Sequence, residues 1–134
     1  MTAIATSKIA MTEIATSEIP RLIYKIADEA TFAPSRRSGS FAGMPIDLAD
    51  GYMHFSTAAQ LAETLRLHFK GVADLVVLAV RTADLGPGLV WEPSRGGQLF
   101  PHLHGGPLPL SAMAWEAPVS VEGNGDCTLP EAVR

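Results

Sequence analysis

The strongest constraint in the sequence is an uninterrupted apolar run, LVVLAV, at residues 75–80. A strand that is apolar on both faces is covered on both faces, so this run predicts a central strand of a sheet. A membrane span needs about 20 apolar residues, so the run is too short to cross a bilayer. Because the chain has 134 residues, we expect one domain built around this strand.

The flanking patterns predict an α+β domain. Thr57 and Gln60 have the spacing of a capping box, which predicts a helix from residue 57 to about residue 69. Alternation along the first strand places Tyr24 and Lys25 on opposite faces. We therefore expect a single domain with a mixed or antiparallel split sheet and a few helices. Strands are expected at residues 22–26, 52–56, 74–80, 89–92, 99–102 and 112–117.

The chain is expected to divide into an extension, a domain and a tail. Residues 1–20 contain the near-duplicate MTAIATSKIA and MTEIATSEIP, whose isoleucines recur every fifth residue and match neither a helix nor a strand period. We expect the globular domain at residues 21–118 and a C-terminal tail at residues 119–134. Within the domain, the segment SRRSGS at residues 35–40 is typical of a loop, and Gly39, Gly43 and Pro45 predict irregular structure up to residue 50.

Charge and cysteine content narrow the classes of function. The net charge is −4 and the isoelectric point is near 5.5, which argues against binding to nucleic acid or to a membrane surface. Cys127 is the sole cysteine, which excludes an intramolecular disulfide and a multi-thiolate metal site. We expect a cytoplasmic protein whose partner is a small molecule.

Two polar segments carry the first candidate residues. HFST at residues 54–57 joins a strand to a helix, and alternation places His54 and Ser56 on one side. The backbone N–H groups at such a junction bind anions, although the hydroxyl groups also suit simple helix capping. In WEPSRGG at residues 91–97, Glu92 is a candidate base or an acceptor for a ribose hydroxyl, and a surface ion pair with Arg95 is the alternative.

A third polar segment, FPHLHGG at residues 100–106, contains two histidines. In an extended segment, His102 and His104 share one face, and His54 would complete a site of three imidazoles. The sequence places no Asp or Glu at tight ligand spacing beside them. We therefore keep a metal site of these three histidines as an alternative and assign no metal ligand.

These motifs together resemble a bacterial family, domain of unknown function 952. The resemblance rests on IYKI at residues 23–26, DGYMHFST at 50–57, WEP at 91–93 and FPHLHG at 100–105. It covers residues 21–118. His104 stands where that family usually has tyrosine.

The resemblance implies a fold similar to that of ADP-ribosyltransferases, whose cleft holds NAD. Three elements of those enzymes bind the nicotinamide ribose and stabilise an oxocarbenium-like transition state. They are a residue on the first strand, residues on a second element and a later glutamate. The resemblance implies catalytic roles for Glu92 and His54. The ligand-binding set that we expect is Tyr24, Ser56, Thr57 and His102.

Three functions remain open at this point. The first is a nucleotide-binding enzyme or enzyme-like protein with NAD as a possible substrate, and the second is a noncatalytic module for a small ligand or a protein. The third is the metal site of three histidines. Fold similarity does not establish an activity, because function resides in the site.

Overall fold

The computed structural model describes residues 19–133 and contains eight strands and four α-helices there. The strands are β1 (Leu22–Asp28), β2 (Ser40–Phe41), β3 (Met53–His54), β4 (Leu75–Arg81), β5 (Leu89–Ser94), β6 (Gln98–Leu103), β7 (Leu108–Pro109) and β8 (Met113–Val119). The helices are α1 (Glu29–Phe32), α2 (Ser35–Ser38), α3 (Pro45–Asp50) and α4 (Ala58–His68). The duplicated segment predicted to be an extension lies outside the described residues, apart from its last two positions.

The apolar run forms the middle of the main sheet, as predicted. This sheet has the order β1-β4-β8, and both pairings are antiparallel. One face of β4 contributes Val76 and Leu78 to a first hydrophobic cluster, which also contains Phe32 and Phe41. The other face contributes to a second cluster against α4. Burial on both faces explains why β4 has no polar position between residues 75 and 80.

A second three-stranded sheet, β3-β6-β5, carries the polar segments, and β2 pairs with β7. Every pairing between these strands is antiparallel. The prediction of a small α+β domain with an antiparallel sheet is thus confirmed at that level. Met53, Trp91 and Leu103 turn toward the first cluster, so one face of the second sheet lies on the core.

Two local predictions are wrong. The segment at residues 35–38 is the helix α2 rather than a loop, and it ends at Gly39, whose φ of 84° is the left-handed conformation that favours glycine at a helix terminus. The segment before residue 51 was predicted to be irregular but contains α3, with Pro45 in its first turn.

The predicted helix after residue 57 is confirmed as α4, which spans 11 residues. Thr57 and Gln60 form the capping box that their spacing indicates. Within residues 19–133, no helix has the length and apolar character needed to cross a membrane. The segment after β8, expected to form a tail, contributes Val121 and Leu129 to the packing of the second cluster.

Candidate functional site

The register of the second sheet brings three polar residues onto one face. His54 of β3 lies directly opposite His102 of β6. On the other side of β6, Glu92 of β5 lies opposite Phe100, which is two residues before His102 on β6. Residues two apart on a strand share a face, so side chains from all three strands converge. The structure therefore brings together Glu92, His54 and His102.

Two further residues complete this group. The ring of Tyr52 lies 4.7 Å from that of His54, 4.4 Å from that of His102 and 5.0 Å from that of His104, measured between centroids. The His104 ring is nearly parallel to the Tyr52 ring, at 28°. We call these five side chains the histidine cluster: Tyr52, His54, Glu92, His102 and His104.

Glu92 is the acidic group of the histidine cluster. Its Oε1 lies 2.6 Å from His102 Nδ1 and 3.0 Å from His104 Nε2. Its side chain is 35% exposed, and its second oxygen makes no hydrogen bond to any side chain that the structure describes. Burial opposes ionisation, but the hydrogen bonds from His104 and His102 outweigh it and lower the pKa of Glu92. Among the described side chains, the cluster therefore offers an ionised carboxylate with one oxygen that has no donor; the predicted alternative, an ion pair with Arg95, falls on a side chain outside the described residues.

His102 is the buried one of the two histidines that contact Glu92. Its side chain is 5% exposed, and burial lowers its pKa although the Glu92 carboxylate acts in the opposite direction. The backbone of His104 is fixed by a hydrogen bond, because its N–H donates to the Gly88 carbonyl at 2.8 Å. A Cβ at residue 88 would lie 2.4 Å from the His104 oxygen, so this close approach requires glycine.

A second polar group, the Asp47 network, lies beneath His54 and consists of Lys25, Asp47, Asp50 and His54. Lys25 Nζ lies 2.7 Å from Asp47 Oδ2, and their side chains are 4% and 2% exposed. Asp47 also accepts from the backbone N–H groups of Met44 and His54, at 2.6 and 3.0 Å. Burial opposes ionisation, but the His54 hydrogen bond and the Lys25 charge outweigh it and lower the pKa of Asp47 well below its usual range.

His54 belongs to both groups. Its Nδ1 lies 2.7 Å from Asp47 Oδ1, and its Nε2 lies 2.9 Å from Asp50 Oδ2. A neutral imidazole carries one N–H and can donate to only one of these carboxylates, whereas a protonated ring donates to both. Both ring nitrogens are engaged, so His54 can act as a base only after it loses its contact with one carboxylate.

The remaining predicted site residues lie apart from the cluster. Tyr24 is buried on the opposite face of β1 from Lys25, where its ring lies 5.9 Å from that of Trp115. The Ser56 hydroxyl lies 2.9 Å from that of Thr64. Thr57 caps α4 by accepting from the backbone N–H of residue 60. The geometry gives these three side chains roles in the core or at the helix end.

Sequence reasoning missed Lys25, Asp47, Asp50 and Tyr52 as members of the site. One available signal was Lys25 itself, a cation inside the apolar segment LIYKI. Lysine is almost never fully buried without a partner, so a carboxylate was to be expected nearby. The other was Tyr52, an aromatic residue two positions from His54 on the same strand face.

One of the cavities in the described part of the chain adjoins the cluster. It has a volume of about 350 Å³ and is lined by His104, Leu85, Leu103 and the glycine-proline segment at residues 105–107, among others. A larger cavity, about 520 Å³, lies near Cys127 and Asp126 and shares no residue with the cluster. The smaller cavity is therefore the candidate ligand cavity, because it adjoins the polar side chains of the histidine cluster and the larger one does not.

Comparison with known proteins places the chain in a family. The family described as "Protein of unknown function (DUF952)" matches residues 26–116. The chain belongs to this family. The match includes every residue of the histidine cluster and Asp47.

Solved structures of one other protein are similar to this chain. The crystal structure of protein CC0527 from Caulobacter crescentus is 43% identical and covers 80% of this chain and 93% of its own, with a TM-score of 0.74. The solution NMR structure of the same protein is 43% identical and covers 79% of this DUF952 chain and 90% of its own, with a TM-score of 0.69. A comparison with curated proteins found no match.

Proposed function

We propose that the histidine cluster binds a nucleotide through its ribose hydroxyl groups, with NAD and ADP-ribose as the candidate ligands. The observation that carries the proposal is the state of Glu92. Two imidazoles hold its Oε1, and its second oxygen, on a side chain that is 35% exposed, accepts from none of the described side chains and can receive a donor. A ribose hydroxyl is a donor of the required kind, and hydrogen bonds to a charged group are the stronger ones.

The surroundings of the histidine cluster support a ligand of the size of a nucleotide. The cavity of about 350 Å³ that His104 helps to line falls in the range of roughly 300–1,000 Å³ that is typical of small-molecule pockets. The exposed ring of His104 lies at its edge and offers a face on which a base or nicotinamide ring can stack. The DUF952 resemblance and the two antiparallel sheets support a further part of the proposal, a likeness to the split sheet of ADP-ribosyltransferases.

Isothermal titration of the full chain with NAD, ADP-ribose and nicotinamide tests the proposal. We expect NAD and ADP-ribose to bind and nicotinamide, which lacks ribose, to bind far more weakly. Glu92→Gln keeps the side-chain size and removes the charge, so it should weaken ADP-ribose binding about 10–100-fold. Glu63→Gln is the matched control, because Glu63 is exposed on α4 and pairs with Arg66 outside the cluster.

The outcomes separate binding from turnover. No heat from NAD or ADP-ribose at millimolar concentration overturns the proposal, as does equal binding by the wild type and Glu92→Gln. Nicotinamide released from NAD, followed by NMR, distinguishes an enzyme from a noncatalytic module. Release that disappears in Glu92→Gln assigns Glu92 to the reaction, whereas binding without release supports the noncatalytic alternative.

A further inference from the structure

We propose that Glu92, His102 and His104 form a binding site for a divalent transition metal such as Zn²⁺. One carboxylate oxygen and two imidazole nitrogens, one from each residue, lie within 4.8 Å of one another. Carboxylate and imidazole are ligands that zinc accepts, and three protein ligands with an open fourth position are the pattern of catalytic zinc sites.

Two of the three donor distances are close to those of a loaded site. Glu92 Oε1 lies 2.6 Å from His102 Nδ1 and 3.0 Å from His104 Nε2. Bonds of about 2.0–2.2 Å in a tetrahedron separate neighbouring donors by about 3.3 Å, so each imidazole nitrogen needs to move away from the Glu92 oxygen by less than about 1 Å. The carboxylate now bridges the two imidazoles and holds them pointing toward one position, where the metal would replace the hydrogen bonds.

The surroundings favour this donor set. Tyr52 lies against both imidazole rings and limits their rotation, which is the role of outer residues at metal sites. One carboxylate and two neutral imidazoles together carry a single negative charge, which suits a dication. The site is open on the side of Glu92 and His104, whose side chains are both more than one-third exposed, so a hydrated ion can reach it.

This set differs from the three-histidine site considered from the sequence. His54 faces His102 across the strands, but its ring nitrogens are engaged by Asp47 and Asp50. A metal bound by His54 would have to displace one of those carboxylates. Glu92 already contacts both other histidines and supplies the negative ligand that the sequence spacing did not reveal.

Titration of the full, tag-free chain with Zn²⁺ alone tests the site. The site does not depend on nucleotide binding, because every donor belongs to the chain and no nucleotide is added. We expect one ion per chain by calorimetry and by elemental analysis after dialysis. Outer residues of metal sites are worth 10–100-fold in affinity, so loss of a direct ligand in His104→Asn should weaken binding by at least about 100-fold.

Two further variants distinguish the donor sets. His68→Asn is the matched control, since His68 is exposed on α4 outside the cluster; it should bind Zn²⁺ like the wild type. His54→Asn should retain binding within about tenfold, because His54 is not among the proposed ligands. NMR spectra of each variant without metal confirm that it is folded.

The proposal fails if the wild type binds no Zn²⁺ at micromolar to millimolar concentration, or if His104→Asn binds as tightly as the wild type. It also fails if His54→Asn loses as much affinity as His104→Asn while remaining folded, since His54 would then be a ligand. Zinc binding without nucleotide binding leaves this site intact and removes only the nucleotide proposal.

Discussion

Two carboxylates, Asp47 and Glu92, each lie beside an imidazole, and the contrast between them separates support from ligand binding. Asp47 is 2% exposed and accepts hydrogen bonds from Lys25, His54 and the Met44 backbone. Glu92 is 35% exposed, and the described side chains hold it through one oxygen. A buried carboxylate with all its donors present holds the structure together, whereas a half-open carboxylate with an unused oxygen can receive a ligand.

The largest effect should follow from Asp47→Asn. Removing one partner of a buried ion pair leaves the other charge uncompensated and costs about 3–5 kcal/mol. Lys25 would then be a buried cation without a counter-ion, and an NH2 donor would replace one of the two oxygens that now accept from Met44, His54 and Lys25. Urea denaturation followed by circular dichroism measures the change in the free energy of unfolding.

Asp50→Asn is the control for this experiment. Asp50 contacts the same histidine, but its side chain is 39% exposed. An exposed ion pair is worth less than about 1 kcal/mol, so this variant should unfold near the wild-type denaturant concentration. Equal losses in the two variants would contradict the assignment of Asp47 as the buried support.

Lys25→Met should cost less than Asp47→Asn. Burial lowers the pKa of Lys25 although the Asp47 charge opposes this, so the ammonium gives up much of its hydration to remain in place. Without it, Asp47 keeps its hydrogen bonds from Met44 and from His54. Denaturation of both variants under the same conditions decides the order. A larger loss in Lys25→Met would mean that the lysine, not the carboxylate, organises the network.

The difference between the two regions also explains what could be predicted from the sequence. The central strand at residues 75–80 was predictable because a continuous apolar run has a local signature. Glu92 and His102 were found one by one but not as a pair, because their contact depends on the register of β5 with β6. The short turn at residues 95–97 sets that register, placing Ser94 opposite Gln98.

Asp47 could not be found in the same way. It lies in a segment rich in glycine and proline, where the pattern predicts irregular structure, and its partner Lys25 lies 22 residues earlier. Contact over that separation depends on packing of the whole chain. Close packing against Asp47 is evident at Gly43, where φ is 113° and a Cβ would lie 2.9 Å from the Asp47 Cβ. That constraint is visible only in three dimensions.

Lowering the pH should remove part of the stabilisation due to Asp47. The pKa of Asp47 is lower in the folded chain than in the unfolded chain, where it is about 3.9. Its contribution is therefore complete above about pH 5 and is lost as the pH falls through the unfolded and then toward the folded value. The difference in unfolding free energy between the wild type and Asp47→Asn should narrow below about pH 4. A difference that stays constant down to about pH 2.5 would contradict this.

The smallest effect on stability should come from Glu92→Gln, the variant that is expected to weaken ADP-ribose binding. Because Glu92 is more than one-third exposed, its hydrogen bonds to His102 and His104 compete with water, and their loss should cost less than about 1 kcal/mol at neutral pH. The amide can still accept one of the two hydrogen bonds through its oxygen. Urea denaturation of this variant beside Asp47→Asn measures the contrast directly. A loss as large as that of Asp47→Asn would make Glu92 a second structural carboxylate, and a weaker ligand affinity in that variant would then reflect unfolding rather than a lost contact.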